Sequence, residues 1–219
     1  MSTRRWVLVR HAPARSRDFV QWPDDQGRPL KPDGRKEFRE ASRGLVVLLS
    51  ERGVVATSPL TRAAETALIL GELWAPARHP LRWRELVPDG PLPRLFDRAK
   101  AARGQGDLLL FGHEPQLSRF LGYCLLGEGT SVMKFSKGGA AALDFPGAVR
   151  PGGGRLLWAL TRGQLRRVRP KGRVRPAPGG RKRPVRSSSR APAGPRPRAL
   201  STKRSGPRSD PDGAEGNME

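Results

Sequence analysis

Residues Trp6-Val7-Leu8-Val9 run without a polar interruption, include two β-branched side chains, and stop at Arg10-His11. So short and unbroken an apolar run reads as a strand covered on both faces, as strands of parallel sheets are; a half-solvated strand would alternate instead. Side chains at the ends of such strands face the crevice where open α/β sheets bind ligands. Arg10 and His11 stand at that crevice together, and a cation beside an imidazole suits a phosphate.

On its own the dipeptide is equally what a core strand looks like where it meets water. Two later stretches change the balance. Thr57-Ser58-Pro59-Leu60-Thr61-Arg62-Ala63-Ala64-Glu65-Thr66-Ala67 and Phe111-Gly112-His113-Glu114-Pro115 each set another basic group just after a further apolar run. Three strand ends thus supply two arginines and two histidines.

The rest of the chain supplies the scaffold. Residues 12–32 are polar and punctuated by proline, with turn chemistry at Asp24-Asp25-Gln26-Gly27, and read as a loop over the crevice. Asp33-Gly34 leads into a helix with Phe38, Ala41, Leu45, Leu48 and Leu49 on one face, and 53–57 reads as the second strand. Ser58-Pro59 reads as a helix start, with Ser capping free amides and Pro at the first helical position. That places Arg62 in the first turn, where unpaired N–H groups and the macrodipole attract anions. Leu81-Arg82-Trp83-Arg84-Glu85-Leu86 alternates like an edge strand, and Leu92, Leu95, Phe96, Ala99 and Ala102 mark another helix. A buried strand at 107–111 ends near His113, and Pro115 starts a helix that carries Cys124. Strands at 140–145 and 155–160 flank a Gly- and Pro-rich loop. Strands alternating with helices predict a three-layer α/β/α sandwich with a mostly parallel central sheet.

In order and spacing, Arg10-His11, Ser58-x-x-x-Arg62-Ala63-x-x-Thr66-Ala67 and Gly112-His113 resemble the histidine phosphatase superfamily, the phosphoglycerate mutase-like group. Within it, the small SixA-type phosphohistidine phosphatases are the nearest likeness. Ala12, the Arg28-Pro29-Leu30-x-x-x-Gly34 and Glu85-Leu86-x-Pro88-x-Gly90 elements, and an unelaborated core carry that closer resemblance, which spans residues 5–165. It implies a phosphoglycerate mutase-like fold and phosphoryl transfer through an enzyme phosphohistidine.

A phosphoryl group in transfer spreads charge over three equatorial oxygens, and catalysis is mostly alignment and electrostatic stabilisation. Arg10, Arg62 and His113 can cover those oxygens, the guanidinium groups bidentately and always charged. A neutral imidazole can attack phosphorus in line, and nearby cations favour the neutral ring. The residues alone do not choose between His11 and His113 as attacker; the resemblance implies His11. It also implies a carboxylic acid for ester substrates. Glu85 matches that place best, ahead of Asp89, Asp24 and Asp25, although beside Arg84 it is equally an ordinary exposed carboxylate. SixA-type proteins are thought to manage without a firm acid, since phosphorus bound to nitrogen is released more easily.

Two arginines beside His11 and His113 would repel a divalent cation, so no metal and no cofactor are expected, and His79 between Arg78 and Pro80 reads as a loop residue. There is no Gly-x-x-x-x-Gly-Lys-Ser/Thr loop, which leaves an ATP or GTP hydrolase of that type unsupported.

Charge separates the chain into two parts. The formal net charge is +22 over 219 residues; from Arg166 onward sixteen Lys/Arg face four Asp/Glu, and before it twenty-six face sixteen. With nine prolines and almost no apolar residues, the second part cannot bury enough surface to offset its ordering entropy. The expected organisation is a phosphatase domain over 1–165 and a disordered basic tail over 166–219. Arg181-Lys182-Arg183, with Arg186 and Arg190 around Ser187-Ser188-Ser189, would bind polyanions or nucleic acid by counterion release, or merely solubilise the chain. Apolar runs fall short of the roughly 18 residues a bilayer span needs, and Arg10 interrupts the first one before a signal-peptide core forms. A cytoplasmic protein with no membrane partner is expected. Cys124 is the only cysteine, which excludes an intrachain disulfide. Its spacing with Leu117, Phe120, Leu121 and Leu125 puts the thiol on a buried helix face.

Three functions stay open on this reading: a phosphohistidine phosphatase for a signalling or phosphotransfer protein, a phosphomonoesterase for small esters such as sugar phosphates or nucleotides, and a catalytically inactive polyanion- or nucleic-acid-binding protein. Few insertions over the crevice favour the first, because a protein-borne phosphohistidine needs an open entrance. Intact Arg10, His11, Arg62 and His113 count against the third.

Overall fold

The structure is a computed structural model that describes residues 4–49, 53–74 and 79–170. Within them lie β1 (Trp6–Arg10), α1 (Pro32–Leu48), β2 (Val54–Thr57), α2 (Thr61–Trp74), β3 (Leu81–Arg82), α3 (Leu92–Ala101), β4 (Leu108–Gly112), α4 (Gln116–Leu126), β5 (Ala140–Asp144), β6 (Arg155–Leu160) and α5 (Arg162–Leu165). Past α5 the chain is described to Pro170, and Arg166 pairs with Glu40 at 2.6 Å. The rest of the basic tail, including the arginine clusters around Ser187, lies outside the described residues. No described helix is long and apolar enough to cross a membrane.

One six-stranded sheet runs in the order β3-β2-β4-β1-β5-β6. The first four are parallel; β5 runs antiparallel to β1, and β6 antiparallel to β5. β1 sits inside, which explains its unbroken apolar run: both faces need cover. Val7 and Val9 join one core with Phe38, Leu45 and Leu70 from α1 and α2. Trp6 and Leu8 join the other with Leu95, Phe96, Phe120 and Cys124 from α3 and α4. There the Trp6 ring meets Phe145 edge-on at 4.8 Å and Phe96 at 5.3 Å, geometry that adds about 0.5–1.5 kcal/mol per pair beyond area burial. Cys124 is a buried free thiol, its ionisation pushed up by burial. The three-layer α/β/α architecture expected from the sequence is the one observed.

Chain order places the crevice. From β1 the chain crosses through α1 to β2, leaving a gap that β4 later fills, and from β4 it crosses through α4 to the far side of β1. Connections from these two neighbours therefore diverge to opposite faces of the sheet, and the carboxyl ends of β1 and β4 border the open crevice.

Two local expectations need correction. The alternation at 81–86 does not make a full strand: only Leu81–Arg82 pair with β2, and Arg84–Leu86 form a 3-10 turn. Trp83, buried at 4 % exposure, gives its N–H to Thr57 O and turns the chain inward, so core packing overrides the edge ladder. Ser58-Pro59 does not open the helix either. The helix begins at Thr61, and Ser58 is left for another task, although Arg62 remains in the first turn.

Candidate active site

His11 follows β1, His113 follows β4, and Ser58 follows β2, so three adjacent parallel strands end at one place. The two imidazole rings lie 5.1 Å apart, tilted by 51°. Arg62 joins them from the first turn of α2. All three basic groups are buried, with His11 at 7 %, Arg62 at 3 % and His113 at 2 % exposure, an unusual position for ionisable side chains.

The helix motif has a mechanical meaning. Thr66 Oγ donates to Arg62 O at 2.6 Å and accepts from the backbone N–H of Ala12 at 3.0 Å, tying α2 to the residue after His11. Glu65 accepts from Leu30 N–H at 2.8 Å and pairs with Arg35, tying the same helix to the loop over the crevice. Gly34 supplies close approach: a Cβ there would collide with the Pro13 carbonyl. Gly90 does likewise under the 3-10 turn, against Glu85 O and the Gln116 amide. The two glycine-bearing elements of the sequence therefore clamp the rim of the crevice.

His11 has a defined tautomer. Its Nδ1 lies 2.7 Å from the Ala12 carbonyl, which can only accept, so Nδ1 carries the proton and Nε2 holds the lone pair. Burial pushes this ring down to about 3, Arg62, Arg10 and Arg28 pushing the same way against the Ala12 bond. His113 is held at about 2, first by burial and then by His11, Arg62 and Arg10, with Asp25 opposing. Both rings are neutral at physiological pH. Burial also lowers Arg62, to about 10, which leaves it charged.

Hydrogen-bond supply at the site exceeds demand. Arg10 Nη1 donates to Phe135 O at 2.6 Å and Arg62 Nη1 to Asp25 O at 2.9 Å. His113 Nε2 sits 2.9 Å from Ser58 Oγ. Yet Arg10 Nε, Arg62 Nε and His113 Nδ1 are buried without a protein partner. Each such group costs about 1–3 kcal/mol, and three around one histidine fit an oxyanion.

The carboxylates fall differently from expectation. Glu85 is engaged by α3: both its oxygens accept from Arg98 Nη1, at 2.9 and 2.7 Å. Asp25, a lesser candidate, is the one beside the site, 3.2 Å from Arg62 and bound by Arg28 at 2.5 Å. Those cations, the Arg28 hydrogen bond first, hold its carboxyl below the usual range, so it is ionised. Asp25 also adopts φ 56°, a left-handed conformation that Asp tolerates better than most. Sequence reasoning missed Ser58 as the partner of His113, and it missed Arg28 as a site cation. The signals for Ser58 were its place at a strand end and at the head of the Ser58-x-x-x-Arg62 motif.

A sandwich of this topology, with basic groups gathered where β1 and β4 diverge, has the fold of the histidine phosphatases. Among solved structures, the protein histidine phosphatase SixA complexed with tungstate matches with a TM-score of 0.61 and 22 % identity, over 74 % of this chain and 99 % of that one. A protein designated SixA from Nakamurella multipartitia matches at 0.58 and 25 % identity, over 73 % and 96 %. The alpha-ribazole phosphatase from Shigella flexneri matches at 0.54 and 15 %, over 72 % and 96 %. No protein-family model and no curated protein sequence matches the chain.

Proposed function

We propose that the protein is a phosphatase that takes a phosphoryl group onto His11 Nε2 and releases it to water, and that its substrate is a protein phosphohistidine. The observation that carries the reading is the His11 Nδ1–Ala12 O bond, which presents the lone pair of a neutral ring between two arginines and a second imidazole.

The charge inventory matches the steps. Arg10, Arg62 and His113 each hold one buried, unpartnered nitrogen for the equatorial oxygens of the transferring group. Ser58 Oγ accepts from Leu60 N–H at 3.3 Å and lies 2.9 Å from His113 Nε2; with the hydroxyl proton directed at Nε2, His113 Nδ1–H is the donor in this reading. Attack by His11 Nε2 forms the P–N bond as the bond to the leaving group breaks. Water then attacks the phosphohistidine, which returns the neutral ring.

The leaving group decides between substrates. An alkoxide needs a proton from an acid as it departs, but Glu85 is held by Arg98 and Asp25 is ionised between arginines. An imidazole whose second nitrogen is protonated leaves as a neutral molecule and needs no such acid. The likeness to SixA supports the same choice, and the tungstate held in that relative's structure, a tetrahedral oxyanion like phosphate, supports a phosphoryl site in this fold.

The test compares phosphate release from a histidine-phosphorylated protein, p-nitrophenyl phosphate and sugar phosphates, by wild type and His11→Ala. 32P trapped on His11 with preference for the phosphohistidine substrate is expected. Faster release from sugar phosphates would move the substrate to small esters, and tight tail-dependent DNA binding with no turnover would leave only a binding role.

A further inference from the structure

Beside the phosphoryl site lies a second concavity, a cavity of about 350 Å³ lined by Pro13, Ser136, Lys137, Thr161, Arg162 and Gly163. The backbone makes it one unit with the reacting strand end. Gly138 N–H donates to both Arg10 O and His11 O, at 3.1 and 3.0 Å, and Arg10 N–H donates to Gly139 O at 3.1 Å. Pro13 lies only two residues past His11.

Its charge is one-sided. Lys137 is exposed at the cavity mouth, within electrostatic reach of Arg10, Arg28, Lys31 and Arg162, and partial burial together with these cations holds its ammonium below the usual value. Among the described residues no carboxylate forms an ion pair with Lys137, and Glu37 pairs with Arg162 at 2.8 Å. Ser136 Oγ, in the same wall, is buried with no hydrogen-bond partner. Three phosphoryl oxygens are already matched by Arg10, Arg62 and His113, so these groups exceed what a single phosphoryl needs. Like charges gathered at a concave surface repel one another, and a bound anion removes that cost.

We propose that this cavity is a subsite for a second anionic group of the phosphorylated substrate, held by Lys137, Arg162 and the Ser136 hydroxyl. In a protein substrate that group is an Asp or Glu close to the phosphohistidine. The inference rests on the phosphatase reading and adds substrate selection to it: the phosphoryl and the carboxylate are read together, and the second contact gains from the effective concentration the first creates.

Binding without turnover tests the subsite. Isothermal titration calorimetry on the full chain would compare methylphosphonate with α,ω-bisphosphonates bridged by one to four methylenes, for wild type, Lys137→Ala and Lys137→Arg. One bridge length is expected to bind ten-fold or more tighter than methylphosphonate. Lys137→Ala removes that margin and leaves methylphosphonate within three-fold, and Lys137→Arg restores most of it. A margin below three-fold at every length, or equal loss for both ligand types in Lys137→Ala, overturns the subsite. A second arm measures kcat/KM on histidine-phosphorylated peptides with Glu or Gln beside the phosphohistidine. A preference for Glu of five-fold or more, expressed in KM and abolished by Lys137→Ala, assigns the anion to a protein. Equal turnover of the two peptides with the bisphosphonate margin intact overturns that assignment in favour of a small doubly anionic substrate. The phosphatase reading fails separately, by no turnover of either peptide and no label on His11, and the calorimetry is indifferent to that result.

Discussion

The same two strands, β1 and β4, are finished in opposite ways at their two ends. Just before their first residues, Arg5 and Asp107 meet as a bidentate pair, Nε to Oδ1 at 2.9 Å and Nη2 to Oδ2 at 2.8 Å, and the Leu48 carbonyl at the end of α1 accepts from the same guanidinium. Within that pair charge is matched and the hydrogen bonds close, although Arg4 Nη2 beside it is buried without a partner. At the carboxyl ends stand Arg10, His11 and His113 with Arg62; Asp25 is shared among Arg17, Arg28 and Arg62, and Glu114 acts electrostatically on Arg10. Three buried nitrogens there lack protein partners. The first end locks two strands in register; the second keeps unsatisfied donors at a cost in stability, which is what a site built for an oxyanion requires.

That contrast predicts which substitutions move activity and which move stability. His11→Ala is expected to cut phosphate release by about 10⁴-fold or more, while the folded state, relieved of a buried ring held neutral, unfolds at a temperature no lower than wild type at pH 5. Residual turnover above one per cent would remove His11 as the attacker. Arg62→Ala should lower kcat/KM by about 10²–10³-fold, the usual effect of deleting one oxyanion donor; steady-state kinetics on the phosphohistidine substrate decide it.

At the other end, Asp107→Asn should destabilise by about 2–3 kcal/mol, since it leaves the half-buried Arg5 without its charged acceptor. Tm falls by about 5–10 °C for a domain of this size, with turnover per folded molecule unchanged. A loss of activity without a loss of Tm would break the division of labour between the two ends.

The pH dependence has a definite sign. An unfolded chain's histidines take up protons below about 6.5, but in the folded protein burial holds His11 at about 3 and His113 at about 2. The unfolded state therefore binds more protons in that window, so the two rings reduce stability as pH falls from about 6.5 towards 3 and add no slope above it. With three histidines in the chain, NMR reads this directly: the His11 and His113 ring signals should stay at neutral-ring shifts from pH 8 to 5, with His11 as the Nδ1–H tautomer. A ring titrating near 6.5 contradicts the burial argument. The smallest effect is assigned to Glu85→Gln, within about three-fold in turnover, because Arg98 already occupies that carboxylate; a hundred-fold loss on an ester substrate would reinstate it as the acid.

Much of the site could be read residue by residue because its signals are local. An apolar run that stops at Arg10-His11, at Thr57-Ser58 or at Gly112-His113 marks a strand end without reference to the rest of the chain. Glu85 shows the complementary limit. Its position after a strand-like run is a sequence property, but the direction of its side chain was settled by Arg98, thirteen residues further on and stacked on Trp83 at 4.9 Å. The short β3 follows the same rule: alternation at 81–86 is local, and the inward turn of Trp83 belongs to the core.

The sequence by itself determined the element types, the buried character of β1 and the basic residues at three strand ends, because hydrophobic period and chain-breaking residues act over a few positions. Only the tertiary structure decided that β4 lies between β2 and β1, that Ser58 meets His113 and that Asp25 rather than Glu85 stands beside Arg62. Those pairings join residues 37 to 102 positions apart, and their partners are chosen by which faces the helices cover and which loops then fall together.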